Sequence, residues 1–155
     1  MSKSLKRVRA ALLAAQLPDT IIETGQATTA QMAADEIGCA VDQIVKSIIF
    51  QGENSGMGIL FLTAGGNQVD SDKASALAGE VLGKADAALI RRQSGFAIGG
   101  VSPIGHLTVP RAFFDPRLME FDEIWGAAGT PRHVFSARPA TIAQLSNAQI
   151  ADFTS

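Results

Sequence analysis

Lys46 lies inside an apolar run, DQIVKSIIF. A charged side chain there is costly unless it reaches solvent or an anion. Two readings fit the position. One is an edge lysine stretching to water; the other is a lysine in a cleft, whose compact charge suits a phosphate or a carboxylate. Ser47 points to the opposite face if the strand is regular. The second feature is GGVSPIGH, residues 99–106. Gly99 and Gly100 permit backbone geometry and close approach denied to residues with a Cβ. After Val101, Pro103 fixes its own φ and restricts Ser102 before it. Such a loop is either a plain turn or a rigid arc of inward-facing amides. The arc would orient a carbonyl and stabilise developing negative charge. His106 closes the segment, either satisfying a backbone hydrogen bond or serving proton transfer and substrate binding.

Other chemistries are poorly supported. The glycine spacing is not that of a dinucleotide-binding turn, no GK[ST] follows to make a phosphate loop, and no G-x-S-x-G elbow occurs. His106 and His133 are far apart and specify no metal site. Asp70, Asp72 and Lys73 read as capping or surface pairing, with Asn67 and Asp70 as candidates to border a cleft. Asp122 and Glu123 alternate on a predicted strand, so they do not share an acid–base role. Trp125 reads as core or pocket wall, and Cys39 as a buried thiol. A basic stripe along Lys3, Lys6, Arg7 and Arg9, with Arg91, Arg92, Arg111 and Arg132 scattered beyond, is either solubilising surface or an RNA-backbone contact. No aromatics interleave it as in many single-strand binders.

The elements that must position Lys46 and the glycine loop follow from periodicity. Leu5, Val8, Leu12 and Ala15 share one helical face, and Pro18 ends that helix. TTAQMAADEIG opens a second, with a Thr28–Gln31 capping box and a left-handed exit at Gly38. KSIIF and MGILFLTA read as central strands joined by the hairpin-type link QGENSG. SDKASALAGEVLG is a short helix, and Asp86 caps another over AALIRRQ. RAFFD, DEIWGAA and HVFSA are strands, Pro139 starts a last helix, and IADF closes the sheet. Helices and strands mix without a repeated βαβ order. The expectation is one α/β domain over residues 1–155, a twisted mixed sheet curling toward a barrel with helices outside.

Bulk properties agree. With 46% hydrophobic and 18% charged residues among 155, the chain can bury a core and is not disordered. A net charge of -2 argues against a broad non-specific nucleic-acid surface. One cysteine excludes an internal disulfide framework and fits a reducing compartment. The start, MSKSLKRVRAALLAAQLPD, reads as an amphipathic helix rather than a signal peptide, and no stretch is long and apolar enough to span a membrane.

Four stretches, QIVKSIIF, LFLTAGGNQVD, SGFAIGGVSPIGH and FDEIWGAAGTPRHVF, resemble in order and spacing the YbaK/ProX-like aminoacyl-tRNA editing domains. These are related to the editing insert of bacterial prolyl-tRNA synthetases. The resemblance spans nearly the whole chain and implies a highly twisted mixed sheet with surrounding helices. It implies hydrolysis of the ester between a wrongly attached, small amino acid and the terminal ribose of tRNA. Lys46 then matches the lysine of the editing pocket, and Gly99, Gly100, Val101, Ser102 and Pro103 match its glycine–proline loop. His106 resembles a histidine used by some relatives. Phe96 stands where many relatives carry tyrosine, so no hydroxyl role carries over. In the family picture the loop amides orient the carbonyl and the vicinal ribose hydroxyl places or activates water. No protein nucleophile, cofactor or metal is implied. Lys46 would anchor the terminal phosphate or contact the aminoacyl end. Ile44, Ile48, Phe96 and Ile98 are candidates to bound the amino-acid pocket. The implied partners are mischarged tRNA, through its aminoacylated 3′ end, and a synthetase that delivers it, in the cytoplasm. Two other readings stay open: a tRNA-end or nucleotide-binding module without turnover, and a synthetase-associated interaction protein.

Overall fold

A computed structural model describes residues 2–25 and 27–155. Helix α1 (Lys3–Ala14) is capped by Ser2 and buries Leu5, Val8 and Leu12, the face read from the sequence. The chain leaves it at Gln16, in the left-handed region at φ 59°, two residues before Pro18. A two-residue strand, β1 (Ile22–Glu23), follows. Helix α2 (Ala30–Ile37) exits through Gly38 at φ 84° as expected. Its cap is Thr29, not Thr28: Thr29 Oγ1 accepts from Met32 N at 3.1 Å. The expected capping box is absent because the Gln31 side chain donates to Asp35 instead, at 2.9 Å.

After a 3-10 turn at Val41–Gln43, strands β2 (Val45–Gly52) and β3 (Gly58–Ala64) form the predicted hairpin, with Lys46 opposite Thr63. Helix α3 (Ser71–Ala78), capped by Asp70, leads to a short edge strand, β4 (Leu82–Lys84). Helix α4 (Ala87–Ser94) is capped by Asp86. Strand β5 (Arg111–Phe114), a 3-10 helix (Pro116–Glu120), strands β6 (Ile124–Ala127) and β7 (His133–Ala137), helix α5 (Pro139–Leu145) and strand β8 (Gln149–Ile150) complete the order.

The strands form two sheets, β4-β2-β3-β5-β8 and β1-β7-β6. The β3–β5 and β5–β8 pairings are parallel and the rest antiparallel, so the architecture is mixed α/β. A parallel bridge between Ile44 and Trp125 links the sheets just before β2 begins. The twisted mixed sheet expected from sequence is thus present as two sheets joined at this point.

The apolar run of β3 is continuous because both faces are covered. Leu60, Leu62 and Ala64 face a core shared with α1, Phe114, Ile124 and Phe135. Ile59 and Phe61 face a second core under α3. There Phe61 stacks on Phe113 at 5.4 Å and meets Phe153 edge-on at 5.0 Å. No helix among the described residues is long and apolar enough to cross a membrane.

Candidate active site

The junction between the two sheets positions Lys46. Because β2 starts beside the Ile44–Trp125 bridge, the second residue of the strand emerges at that seam. Its ammonium donates to the backbone carbonyl of Asn67, in the turn after β3. That turn is gripped from behind by two carboxylates. Asp115 Oδ2 accepts from Ala64 N at 3.0 Å and from Asn67 Nδ2 at 2.9 Å. Asp42 Oδ1 accepts from Gly66 N at 2.8 Å. Arg117 ties the pair together, its backbone N donating to Asp115 Oδ1 and its Nε to Asp42 Oδ2, both at 2.9 Å.

Burial pulls the Lys46 pKa below its ordinary value, while the charges of Asp115 and Asp42 oppose that pull. The Arg117 hydrogen bond holds the Asp42 carboxyl below the usual carboxylate range. Lys46 is thus a half-buried cation in a cleft, not an edge lysine reaching freely to water.

The cleft measures about 880 Å³, within the usual size range of small-molecule sites. It opens between α2 with its lead-in, the start of β2, the 65–68 turn and the β6–β7 ribbon. A second hollow of about 260 Å³ adjoins it, lined by Ser47, Ile49, Ile90 and Val101. Val45, Lys46, Ile98, Gly99 and Ala127 border both. Ile98 stands at the lip with 64% of its surface exposed. The Ser47 hydroxyl is buried with no hydrogen-bond partner among the described residues.

The glycine–proline loop divides into two layers. Gly99, in the left-handed region at φ 92°, reaches the cleft, and Val101 lines the smaller hollow. Gly100, Ser102 and Pro103 are buried beneath. Gly100 N donates to Ala97 O at 3.0 Å, so that amide is already engaged. Pro103 packs on Gly126, where a Cβ would come within 2.9 Å of its Cγ. Ser102 Oγ accepts from Ile104 N at 3.3 Å.

His106 is not among the residues that line the cleft. Its Nε2 donates to Ser102 O at 2.6 Å, from behind the loop. Its ring meets Phe96 edge-on at 5.2 Å, and Arg7 covers the other ring at 4.6 Å. Burial lowers the His106 pKa, the Ser102 bond opposes this, and Arg7 adds to the lowering.

Of the expected pocket walls, Ile44 and Ile98 line the cleft. Phe96 belongs to the core, and Ile48 borders neither hollow. Trp125 is a wall, as read from sequence. So is His133, which the sequence reading weighed only as a metal ligand. Its Nδ1 lies 2.7 Å from Thr130 Oγ1. That oxygen also accepts from Arg132 N at 3.1 Å, which ties the ring to the 130–132 turn. Asp115 was also missed; an Asp before Pro signals a cap, but not the long-range contacts to residues 64 and 67.

The basic stripe is not one surface. Arg7 turns inward to Gly105 O at 2.7 Å, Arg9 pairs with Asp19 at 3.0 Å, and Arg111 caps α3 through Ala78 O at 2.7 Å. Cys39 is only half-buried, and burial raises its thiol pKa.

The sequence pattern of the aminoacyl-tRNA editing domain matches residues 24–145, which holds every wall of the cleft described above. The chain belongs to the aminoacyl-tRNA editing domain family. A crystal structure described as a candidate trans-editing enzyme for prolyl-tRNA synthetase is 41% identical. It superposes with a TM-score of 0.91, covering 100% of this chain and 99% of that one. The uncharacterised protein YwhH of Bacillus subtilis (strain 168) is 30% identical over 131 residues, 84% of this chain and 82% of its own. The hypothetical protein APE2540 shares the fold at a TM-score of 0.87 and 21% identity, over 96% of this chain and 99% of its own. The editing-domain fold therefore extends through α1, before the matched segment, and through β8 after it.

Proposed function

We propose that this chain is a trans-editing deacylase that hydrolyses the ester of mischarged tRNA carrying a small amino acid. The observation that carries the reading is the shared border. Lys46 and Gly99 both stand where the large cleft meets the small hollow. A substrate with its terminal ribose and adenine in the cleft and its side chain in the hollow carries its ester between them.

The chemistry is ordinary ester hydrolysis. Water adds to the carbonyl carbon, the carbon–oxygen bond to the ribose breaks, and the ribose oxygen takes up a proton. The products are the free amino acid and tRNA. The vicinal ribose hydroxyl places the water, so the protein supplies no nucleophile. The Lys46 ammonium has three donors and spends one on Asn67 O. The others are free to hold the terminal phosphate or the oxygen on which charge develops. A fixed donor of this kind is worth roughly 10²–10³ in rate. The loop around Gly99 orients the carbonyl, and its clamping by Pro103 and His106 keeps that geometry ready before substrate arrives.

The small hollow sets the choice of amino acid by volume. One methylene supplies only about 1–3 kcal/mol of discrimination, so neighbouring sizes are separated weakly and bulky side chains strongly. The test is hydrolysis of tRNAs charged with alanine, serine, cysteine, 2-aminobutyrate, valine and phenylalanine. Turnover confined to the small members supports the reading. Saturable binding of acceptor-stem RNA without cleavage of any of them replaces it with a binding module.

A further inference from the structure

We propose that Asp115 is the positioning residue of Lys46, acting through Asn67; this rests on the reading of Lys46 as the cation that meets the substrate. Asp115 is 1% exposed and caps the 3-10 helix that follows it. That capping role uses Oδ1 alone, which accepts from Arg117 N. Oδ2 is turned the other way. It accepts from Ala64 N and Asn67 Nδ2, residues 51 and 48 positions distant in sequence. Those two bonds fix the turn whose Asn67 carbonyl receives the Lys46 ammonium. A cap needs none of this; a holder for Lys46 needs all of it.

The charges point the same way. Two carboxylates oppose the effect of burial on Lys46, Asp115 first and Asp42 second. Asp42 is already in an ion pair with Arg117 at 2.9 Å. The groups that donate to the Asp115 side chain are three neutral N–H groups. They stabilise its charge without cancelling it. Of the two carboxylates around the turn, Asp115 is thus the one that accepts only from neutral N–H groups, while Asp42 is spent on Arg117. The other titratable group lining the same cleft is His133, from β7 across the opening. Arg117, which bridges both carboxylates, completes the charged set around the turn.

The experiment follows the Lys46 side chain directly, by NMR titration of its Cε and Nζ in the full chain. Wild type is compared with Asp115→Asn and Asn67→Ala, and each is also assayed for deacylation across pH. In Asp115→Asn the titration of Lys46 moves down by about one pH unit. The alkaline limb of deacylation follows it, and kcat falls by about ten- to a hundredfold. In a Lys46→Ala background, Asp115→Asn adds less than about twofold, because both act on one step. Asn67→Ala leaves the backbone bonds of Asp115 intact, so it serves where Asp115→Asn does not fold. It too lowers the Lys46 titration. An unmoved titration in either folded variant, or losses that multiply in the double variant, overturns the proposal. A wild-type protein without turnover whose Lys46 titration shifts as stated supports it, and strikes only the deacylase reading.

Discussion

Gly100 and Thr130 meet backbone to backbone. A Cβ added at Gly100 would stand 2.9 Å from Thr130 Cα and 3.0 Å from Gly129 O. Neither neighbour is a flexible side-chain end that can swing aside. Gly100→Ala therefore forces the loop away from the 129–130 turn, at a cost of about 1–3 kcal/mol. Chemical denaturation should register that loss, and deacylation should fall with it, because Gly99 and Val101 flank the displaced residue. Wild-type stability and rate in Gly100→Ala would mean that the loop is not clamped here.

His106 predicts a pH dependence of stability rather than of catalysis. Burial lowers its pKa in the folded protein below the ordinary 6.5. As pH falls through 6.5 the unfolded chain takes up this proton first, so the folded state loses stability from there down to its own lower pKa. Above 6.5 the contribution is fully present. The carboxyls of Asp42 and Asp152, lowered from 3.8, act in a more acidic window. The denaturation midpoint of the wild type should therefore fall between about pH 7 and pH 5. His106→Gln, which can still donate to Ser102 O, should flatten that slope and keep kcat within about threefold near neutral pH. A large loss of kcat with an unchanged slope would return His106 to the chemistry.

Ser47 carries a buried hydroxyl without a partner, on the wall of the small hollow. Removing such a group leaves no new unsatisfied atom, so Ser47→Ala should be neutral or slightly stabilising, within about 1 kcal/mol. Its effect should appear in selectivity. The rate with a seryl ester relative to an alanyl ester should fall by about tenfold, as the hollow loses the group that meets a substrate hydroxyl. Equal relative rates in the two proteins would remove Ser47 from the pocket.

The sequence made much of this legible where local rules suffice. The α1 face, the caps at Asp70 and Asp86, the exit at Gly38 and the β2–β3 hairpin all follow from side-chain period and backbone preference. Strand β1 is too short to leave a pattern, and the helix expected over residues 71–83 ends at Ala78 with Gly79 in the left-handed region, so Leu82 and Gly83 belong to β4 instead. Thr28 and Thr29 are chemically equivalent as caps, and the i,i+4 bond of Gln31 to Asp35 along α2 takes away the side chain that a box at Thr28 needs. Lys46 stood out because charge in an apolar run is rare. The GGVSP loop was visible as a unit, but not its division into a cleft-facing and a buried layer. That division depends on Gly126 and Thr130, far along the chain. Asp115 was hidden for the same reason, and His133 because its place on the cleft wall depends on elements packed opposite β7. Asp115 looked like an ordinary cap and His133 like a strand start until folding brought one to residues 64 and 67 and the other to the cleft that Lys46 lines.

The central claim is that the Lys46 ammonium and the Gly99 loop act together on an aminoacyl ester. Single-turnover hydrolysis of alanyl-tRNA by wild type and Lys46→Ala tests it most directly, with both proteins shown to be folded. The account predicts rapid hydrolysis by the wild type and a rate lower by about 10²–10³ in the variant. Equal rates in the two proteins, or no acceleration over spontaneous hydrolysis in the wild type with any small-residue substrate, would contradict it.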